Sequence, residues 1–187
     1  TPVSSSDPPV EPAGEPVARR RSPTRSDGPG RISVTGWLDG RIQDLDGDAA
    51  LEALPRMLAE PERCVWVDLA GPSPDRVEAV ARVLGLHPLI VEDVLEGNQR
   101  AKIETTDGLV HIVLFALDRD SSAIANEIDL VLAKGYLFTV HDVSWDPRAS
   151  HHLRDGVEPI LASGPDHLLW AIGDDIVDGY FPYADRL

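Results

Sequence analysis

Apolar residues along this chain recur with two different spacings, which predict strands and helices in turn. Short apolar runs bounded by Gly, Pro or Asp predict strands, and the most continuous of them lie at residues 63–69 and 109–117. Apolar residues three and four positions apart predict helices, most clearly at residues 77–84 and 168–180. We therefore expect an α/β fold, with a mixed parallel and antiparallel sheet of about six to seven strands between helical layers.

Residues 87–104 hold the densest set of local signals in the chain. Pro88 suits the first turn of a helix and Gly97 suits the position just past its end, and a polar turn then leads to a strand near residue 101. Three acids of this helix fall within an arc of about 100°: Glu92, Asp93 and Glu96. They are either a solvated face or half of a cation site, and composition alone favours the solvated face, because carboxylates are mostly exposed.

Two short turns that contain glycine predict antiparallel hairpins. The first turn joins residues 101–106 to 109–117, and the second joins residues 128–133 to 136–140. A first strand is expected at residues 31–38, where ordered structure should begin.

Further helices are expected at residues 48–60 and 147–163. The acidic run at residues 44–48 invites comparison with a calcium loop. Its sixth position holds Ala49 and its twelfth holds Pro55, where such a loop needs Gly and Glu. We therefore interpret the run as a turn that leads into the helix.

The C-terminal residues 165–187 show a clear helical period. Four aspartates of this segment fall within one arc of about 100°: Asp174, Asp175, Asp178 and Asp185. The pattern reaches Leu187 without a cap or a breaker, so we expect a helix that is cut there. The chain is thus expected to comprise a disordered tail rich in Pro, Ser and Arg at 1–30, an α/β domain at 31–164 and this helix.

The charge of the chain excludes several classes of partner. The formal net charge is -15, and the excess lies on residues 31–187, which carry 13 basic and 28 acidic side chains. Such a surface repels DNA, RNA and anionic lipid and attracts cations. The one cysteine, Cys64, lies in an apolar run and is expected to be a core residue. No apolar run is long enough for a membrane helix, so we expect these residues to be soluble.

Sequence motifs indicate neither an enzyme nor a zinc site. The chain lacks Gly-x-Gly-x-x-Gly, a P-loop and Gly-x-Ser-x-Gly, and Ser144 is too local to His141 to suggest a nucleophile and its base. It also lacks His-x-x-x-His and Cys-x-x-Cys. The adjacent His151 and His152 would point about 100° apart in a helix, so a solvated surface is the favoured interpretation.

Three segments resemble the cytoplasmic domain of CorA-type magnesium channels. Residues 87–104 read His-Pro-Leu-x-x-Glu-Asp-Val-Leu and then Asn-Gln-Arg-x-Lys-x-Glu, and the strand pair at 127–142 and the helix at 168–182 are also similar to that family. The resemblance covers residues 31–187. Full-length members of the family continue through a long helix, two membrane spans and a Gly-Met-Asn signature, and none of these is present in the sequence.

The resemblance implies passive Mg²⁺ entry through a homopentamer, gated by Mg²⁺ bound between neighbouring domains at the cytoplasmic face of the cell membrane. The family's regulatory ligands correspond here to Glu92, Asp93 and Asp174. The opposing aspartate of the neighbouring subunit would lie on the stalk helix past Leu187. The fragment itself is expected to be a monomer or a weak dimer that binds no nucleic acid and meets the membrane only through absent C-terminal spans.

Two alternatives stay open from the sequence. The first is the cytoplasmic domain of a zinc-transporting relative of the same superfamily, because the two branches are hard to separate without the pore. The second is a stand-alone acidic module that binds cations. An enzyme is not expected.

Overall fold

The computed structural model describes residues 30–97, 99–117 and 125–185. Except for Gly30, the predicted disordered tail lies outside the described residues. Asn98 also lies outside them. Within the described ranges the chain forms an α/β fold with a mixed sheet, which confirms the predicted fold class.

Seven strands in the described residues form one mixed sheet. They are β1 (Arg31–Leu38), β2 (Arg41–Asp46), β3 (Cys64–Ala70), β4 (Lys102–Thr106), β5 (Leu109–Leu117), β6 (Ala125–Ala133) and β7 (Tyr136–His141). Their order across the sheet is β2-β1-β3-β7-β6-β5-β4. Strands β3 and β7 run parallel, whereas the other neighbouring pairs are antiparallel. Both predicted hairpins, β4–β5 and β6–β7, are confirmed.

Helices cover both faces of the sheet. In the described residues they are α1 (Gly47–Ala59), α2 (Pro74–Leu84), α3 (Pro88–Glu96), α4 (Glu158–Ser163), α5 (Pro165–Asp178) and α6 (Phe181–Ala184). Helices α1, α2 and α3 pack on one face, and α4 and α5 pack on the other. None of these helices has the length and apolar character needed to cross a membrane.

The side chains of β3 show how the two layers are filled. Val65, Val67 and Leu69 point into the core beneath α1–α3, whereas Cys64 and Trp66 point into the core beneath α4 and α5. This alternation follows from the two-residue period of a strand. Strand β3 is buried along its whole length, which explains its almost uninterrupted apolar sequence.

Strand β2 was not predicted from the sequence. The acidic run interpreted as a turn contains the last residues of this strand, and α1 begins directly afterwards at Gly47. The turn between β1 and β2 is formed by Asp39 and Gly40, which adopt positive φ values of 49° and 72°. Because β2 lies at the edge of the sheet and is largely exposed, its sequence carries few apolar positions.

The helix predicted at residues 147–163 is wrong for most of its length. Residues Pro147–Ala149 form one 3-10 turn, residues 151–155 form further turns, and α4 begins only at Glu158. Gly156 adopts a φ of 118°, a backbone conformation that other residues rarely adopt, so a helix cannot continue through it.

The C-terminal helix is present as α5, but it ends at Asp178 instead of continuing through the remaining residues. Pro182 has no N–H to donate, and its ring would clash with the Asp178 carbonyl four residues earlier in a continuous helix. The Tyr180 N–H accordingly bonds only three residues back, to Val177 O at 2.9 Å, and the separate helix α6 follows.

Candidate metal centre

Helix α3 carries the first two predicted ligands, Glu92 and Asp93. His87 caps the helix, because its Nδ1 accepts a hydrogen bond from the Leu89 N–H at 3.2 Å. Val94 is fully buried and fixes the inward side of α3. Glu92 is consequently exposed, and Asp93 is half-buried beside β4.

Asp93 is already paired within the chain. Its Oδ2 accepts a hydrogen bond from Lys102 Nζ at 2.6 Å, and the same ammonium group lies 3.0 Å from Glu104 Oε2. The hydrogen bond to Asp93 raises the pKa of Lys102; partial burial acts in the opposite direction, and Glu104 adds to the increase. Lys102 therefore holds the position between two carboxylates that a metal cation would also favour.

His111 and Asp129 lie beneath this group, in the sheet. His111 Nε2 and Asp129 Oδ1 are 2.9 Å apart, and both side chains are almost completely buried. The second ring nitrogen, Nδ1, lies 3.9 Å from Asp93 Oδ2 and has no hydrogen-bond partner among the described residues. Ligand atoms of Asp93, Glu104 and His111 all lie within 4.8 Å of one another, so two carboxylates and an imidazole meet here.

The third predicted ligand, Asp174, lies on α5 on the opposite side of the sheet. Ile172 and Ile176 bury the inward side of α5, and 41% of the Asp174 side chain stays exposed. Asp174 Oδ2 is 2.9 Å from His152 Nε2. Asp174 is thus held against the turn at residues 151–155, away from α3.

A single ion cannot contact all three predicted ligands within one chain. Glu92 and Asp93 belong to the α1–α3 layer, Asp174 belongs to the α4–α5 layer, and the sheet lies between the two layers. Their role as metal ligands stays a prediction.

The nearest partners of these carboxylates were not predicted from the sequence. Lys102 pairs with Asp93, and His152 pairs with Asp174. The sequence did indicate that Lys102 lies beside a carboxylate, because Lys102 and Glu104 are two residues apart and therefore share a face of one strand. No such signal existed for His152, because its approach to α5 depends on the turn at residues 151–155.

A buried polar network lies on the α5 side of the sheet. His141 Nε2 lies 3.1 Å from Asp68 Oδ1 and its Nδ1 lies 2.7 Å from Asp142 O, so the protonated ring can donate to both oxygens at once. Burial by itself lowers the pKa of His141, but the hydrogen bond and charge of Asp68 prevail and raise it. Thr139 Oγ1 donates to Asp68 and accepts from Trp66 Nε1 at 3.0 Å. The network thereby joins β3 to β7.

Cys64 is a buried core residue, as expected. Burial, together with the nearby charge of Asp166, raises the pKa of its thiol to about 12. The thiol therefore stays protonated near neutral pH, and it supplies neither a nucleophile nor a thiolate ligand.

Solved structures of other proteins share this fold. The soluble domain of CorA from Methanocaldococcus jannaschii matches with a TM-score of 0.58 and 15% identity, over 83% of this chain and 59% of that one. The ZntB cytoplasmic domain from Vibrio parahaemolyticus matches with a TM-score of 0.57 and 15% identity, over 83% of this chain and 62% of that one. The architecture is therefore that of the soluble domains of CorA-like proteins.

Similarity of sequence assigns the family. The model of the family described as "CorA-like Mg2+ transporter protein" matches residues 61–187. The cobalt/magnesium transport protein CorA of Thermotoga maritima is 31% identical over an alignment of 130 positions, and the alignment covers 65% of this chain and 36% of that protein. The chain belongs to the CorA-like Mg²⁺ transporter family, as the resemblance predicted. It spans little more than a third of the length of this relative.

Proposed function

We propose that this chain is the cytoplasmic Mg²⁺-sensing domain that gates a CorA-like divalent cation transporter, whose membrane spans lie outside these 187 residues. The observation that carries the proposal is the display of Glu92 and Asp93 on one side of the sheet and of Asp174 on the other. In a ring of identical subunits, one side of each domain meets the other side of its neighbour. The two carboxylate sets would then face each other across every subunit boundary.

Electrostatics gives this arrangement a gating function. Carboxylates that face each other repel when no ion is present, and a divalent ion between them converts the repulsion into a bridge. Bound Mg²⁺ therefore favours the closed ring, and loss of Mg²⁺ favours the conducting state. Mg²⁺ prefers oxygen ligands and keeps several waters, so a few carboxylates give the weak binding that suits a sensor of an abundant ion.

The domain would lie at the cytoplasmic face of the cell membrane in a homopentamer that conducts Mg²⁺.

A zinc-transporting relative of the same superfamily is the second candidate. The 2.9 Å contact between His152 and Asp174 favours this candidate, because imidazole is a preferred ligand of Zn²⁺.

Removing the three charges should abolish inhibition by Mg²⁺. In the full-length transporter, the combined substitutions Glu92→Gln, Asp93→Asn and Asp174→Asn leave nothing for the ion to bridge, so transport should continue at Mg²⁺ concentrations that close the wild-type protein. Mg²⁺ uptake or current, recorded while the Mg²⁺ concentration on the domain side is raised, measures this loss.

Glu78→Gln is the matched control, because Glu78 is an exposed acid of α2 outside both carboxylate sets. This control should keep wild-type inhibition. If the triple variant also kept it, the proposed sensing role of these carboxylates would be refuted.

Lys102→Met should make the transporter more sensitive to Mg²⁺. The ammonium of Lys102 competes with a metal cation for Asp93 Oδ2, 2.6 Å away, and for Glu104 Oε2, 3.0 Å away. Its removal should lower the Mg²⁺ concentration for half-maximal inhibition by about tenfold, which corresponds to about 1.4 kcal/mol. The same uptake assay measures the shift.

Lys134→Met removes an exposed lysine from the β6–β7 turn and should leave the Mg²⁺ dependence unchanged. Thermal unfolding of both variants verifies that the fold persists. An unchanged or weaker response to Mg²⁺ in a folded Lys102→Met protein would mean that Asp93 does not take part in sensing.

A further inference from the structure

The turn that replaces the predicted helix brings two adjacent histidines against α5. His151 Nδ1 lies 3.0 Å from Asp175 Oδ1, and His152 Nε2 lies 2.9 Å from Asp174 Oδ2. The two imidazole rings lie 3.8 Å apart between centroids and are tilted by 38°. Both side chains therefore reach the same end of α5, whereas consecutive residues of a helix would point in different directions.

The backbone of the turn fixes this convergence. The His151 N–H is directed at Asp175 Oδ1 at 3.4 Å, and the His152 N–H donates to the Ser150 hydroxyl at 3.2 Å. Ser150 and Leu153 are buried, so the turn is anchored on both sides of the histidine pair. The backbone positions of the two histidines are thus determined by the fold.

Aromatic contacts further restrain the His152 ring. The ring lies 4.6 Å from Trp170, and Trp170 lies 5.2 Å from His167. Such contacts reduce the rotational freedom that His152 would lose on binding an ion. His151, by contrast, is 47% exposed at its side chain and can rotate to complete a coordination sphere.

We propose that His151, His152 and Asp174 form a binding site for a divalent transition-metal ion of the Zn²⁺ type. One ligand atom from each residue lies within 4.8 Å of the other two. Ligand atoms around a tetrahedral Zn²⁺ lie about 3.4 Å apart, given metal–ligand distances of about 2.0 to 2.1 Å. Rotation of the exposed His151 ring would bring its nitrogen from within 4.8 Å of the other two ligand atoms to the shorter tetrahedral spacing. Asp175 or water would supply the fourth ligand.

The donor set selects the class of ion. Two imidazole nitrogens and a carboxylate oxygen suit Zn²⁺, Ni²⁺ or Co²⁺, whereas Mg²⁺ prefers oxygen donors alone. The surroundings also favour a cation, since Asp175 and Asp178 flank the site. A cavity of about 470 Å³ adjoins the site through His151 and Asp175, and Asp178 and one cation, Arg154, also line it.

Binding of Zn²⁺ has a consequence for the proposed sensor. Asp174 belongs both to this site and to the proposed Mg²⁺ set, so an ion held by the histidines withdraws Asp174 from the subunit boundary. This competition rests on the proposed function. Formation of the zinc site does not, because all of its ligands lie in one chain.

Titration calorimetry of the 187-residue chain with ZnCl₂, in a buffer that does not coordinate metals, tests the site. One Zn²⁺ should bind per chain, and excess MgCl₂ should not displace it. The double substitution His151→Ala and His152→Ala should weaken binding by at least about tenfold. His167→Ala, which removes a histidine of the same aromatic row but not of the ligand set, should keep the wild-type affinity.

A second readout distinguishes coordination from damage to the fold. Ni²⁺ bound at this site should quench the fluorescence of Trp170, and Trp170→Phe should lose that quenching while keeping the affinity for Ni²⁺. Unfolding temperatures without metal should be equal for the wild type and the single variant His151→Ala, whose removed side chain is partly exposed. His151→Ala should nevertheless bind Zn²⁺ more weakly.

Two results would overturn the site: no Zn²⁺ binding by the wild-type chain, or equal binding by the wild type and the double histidine variant. Glu92→Gln separates this inference from the proposed function, because it should leave Zn²⁺ binding intact while it weakens Mg²⁺ inhibition of the full-length transporter. If Zn²⁺ binding fails and that inhibition still depends on Glu92, only the zinc site is lost.

Discussion

Replacing Asp68 with alanine should lower the free energy of unfolding by about 3 to 5 kcal/mol. The substitution leaves His141 fully buried without the carboxylate that balances its charge. It also deprives the Thr139 hydroxyl of its nearer acceptor and leaves it only Val67 O, 3.5 Å away. Urea unfolding of the 187-residue chain, followed by circular dichroism, measures the loss.

Two matched substitutions separate the charge of Asp68 from general damage. Asp68→Asn keeps an oxygen acceptor but removes the charge, so its loss of stability should be smaller than that of Asp68→Ala. Glu78→Ala removes an exposed carboxylate and should change stability by less than about 0.5 kcal/mol. A loss for Asp68→Ala no larger than that for Glu78→Ala would contradict a buried ion pair.

The same pair makes stability depend on pH. Burial lowers the pKa of His141, but the hydrogen bond and charge of Asp68 outweigh burial and raise it above the ordinary value of 6.5. Because the folded-state pKa exceeds the unfolded one, the stabilisation is complete below pH 6.5 and is lost as the pH rises through the folded-state pKa. Asp68→Asn should flatten the dependence of the free energy of unfolding on pH. If the wild type and this variant showed equal slopes against pH, the dependence would belong to another titratable group.

Phe138→Ala should also lower the free energy of unfolding by about 3 to 5 kcal/mol. Phe138 lies on β7 with no exposed surface and packs in the core beneath α1–α3. Truncation removes the ring from this core and leaves a cavity that the surrounding strands cannot fill. Urea unfolding again measures the loss.

Phe181→Ala provides the matched control, because the same substitution is made at a side chain that is 60% exposed on α6. Its effect should stay within about 0.5 kcal/mol. Comparable losses at the two positions would mean that Phe138 does not contribute to the core as described.

The sheet could be predicted from the sequence wherever a strong local turn coincided with apolar strands. The turns at 107–108 and 134–135 gave both hairpins correctly. The turn at Asp39 and Gly40 carries the same signal, but β2 was missed because its exposed edge position leaves it few apolar residues. The parallel pairing of β3 with β7 has no local signal, since it depends on residues far apart in sequence.

The candidate site was also predictable only in part, because some of its contacts have no local signal in the sequence. The carboxylates of α3 and α5 follow helical periods, so their grouping could be read from the sequence. The pairing of His152 with Asp174 could not, because residues 147–163 were expected to be helical and a helix would separate His151 from His152. Two residues argued against that helix: Gly156, whose positive φ interrupts it, and Pro159, which lacks the N–H that a helix interior requires.

The parallel pairing of β3 with β7 also bears on how the chain folds. Strands β4 to β7 form a meander, whereas β2 and β3 both pair with β1 and are joined through α1, so each group is contiguous in sequence. The two groups meet where Trp66 bonds Thr139, 73 positions away, and closing so long a loop is slow and costly in entropy. We therefore expect the docking of these two halves to limit the folding rate, with the ion pair of Asp68 and His141 forming only once the junction closes.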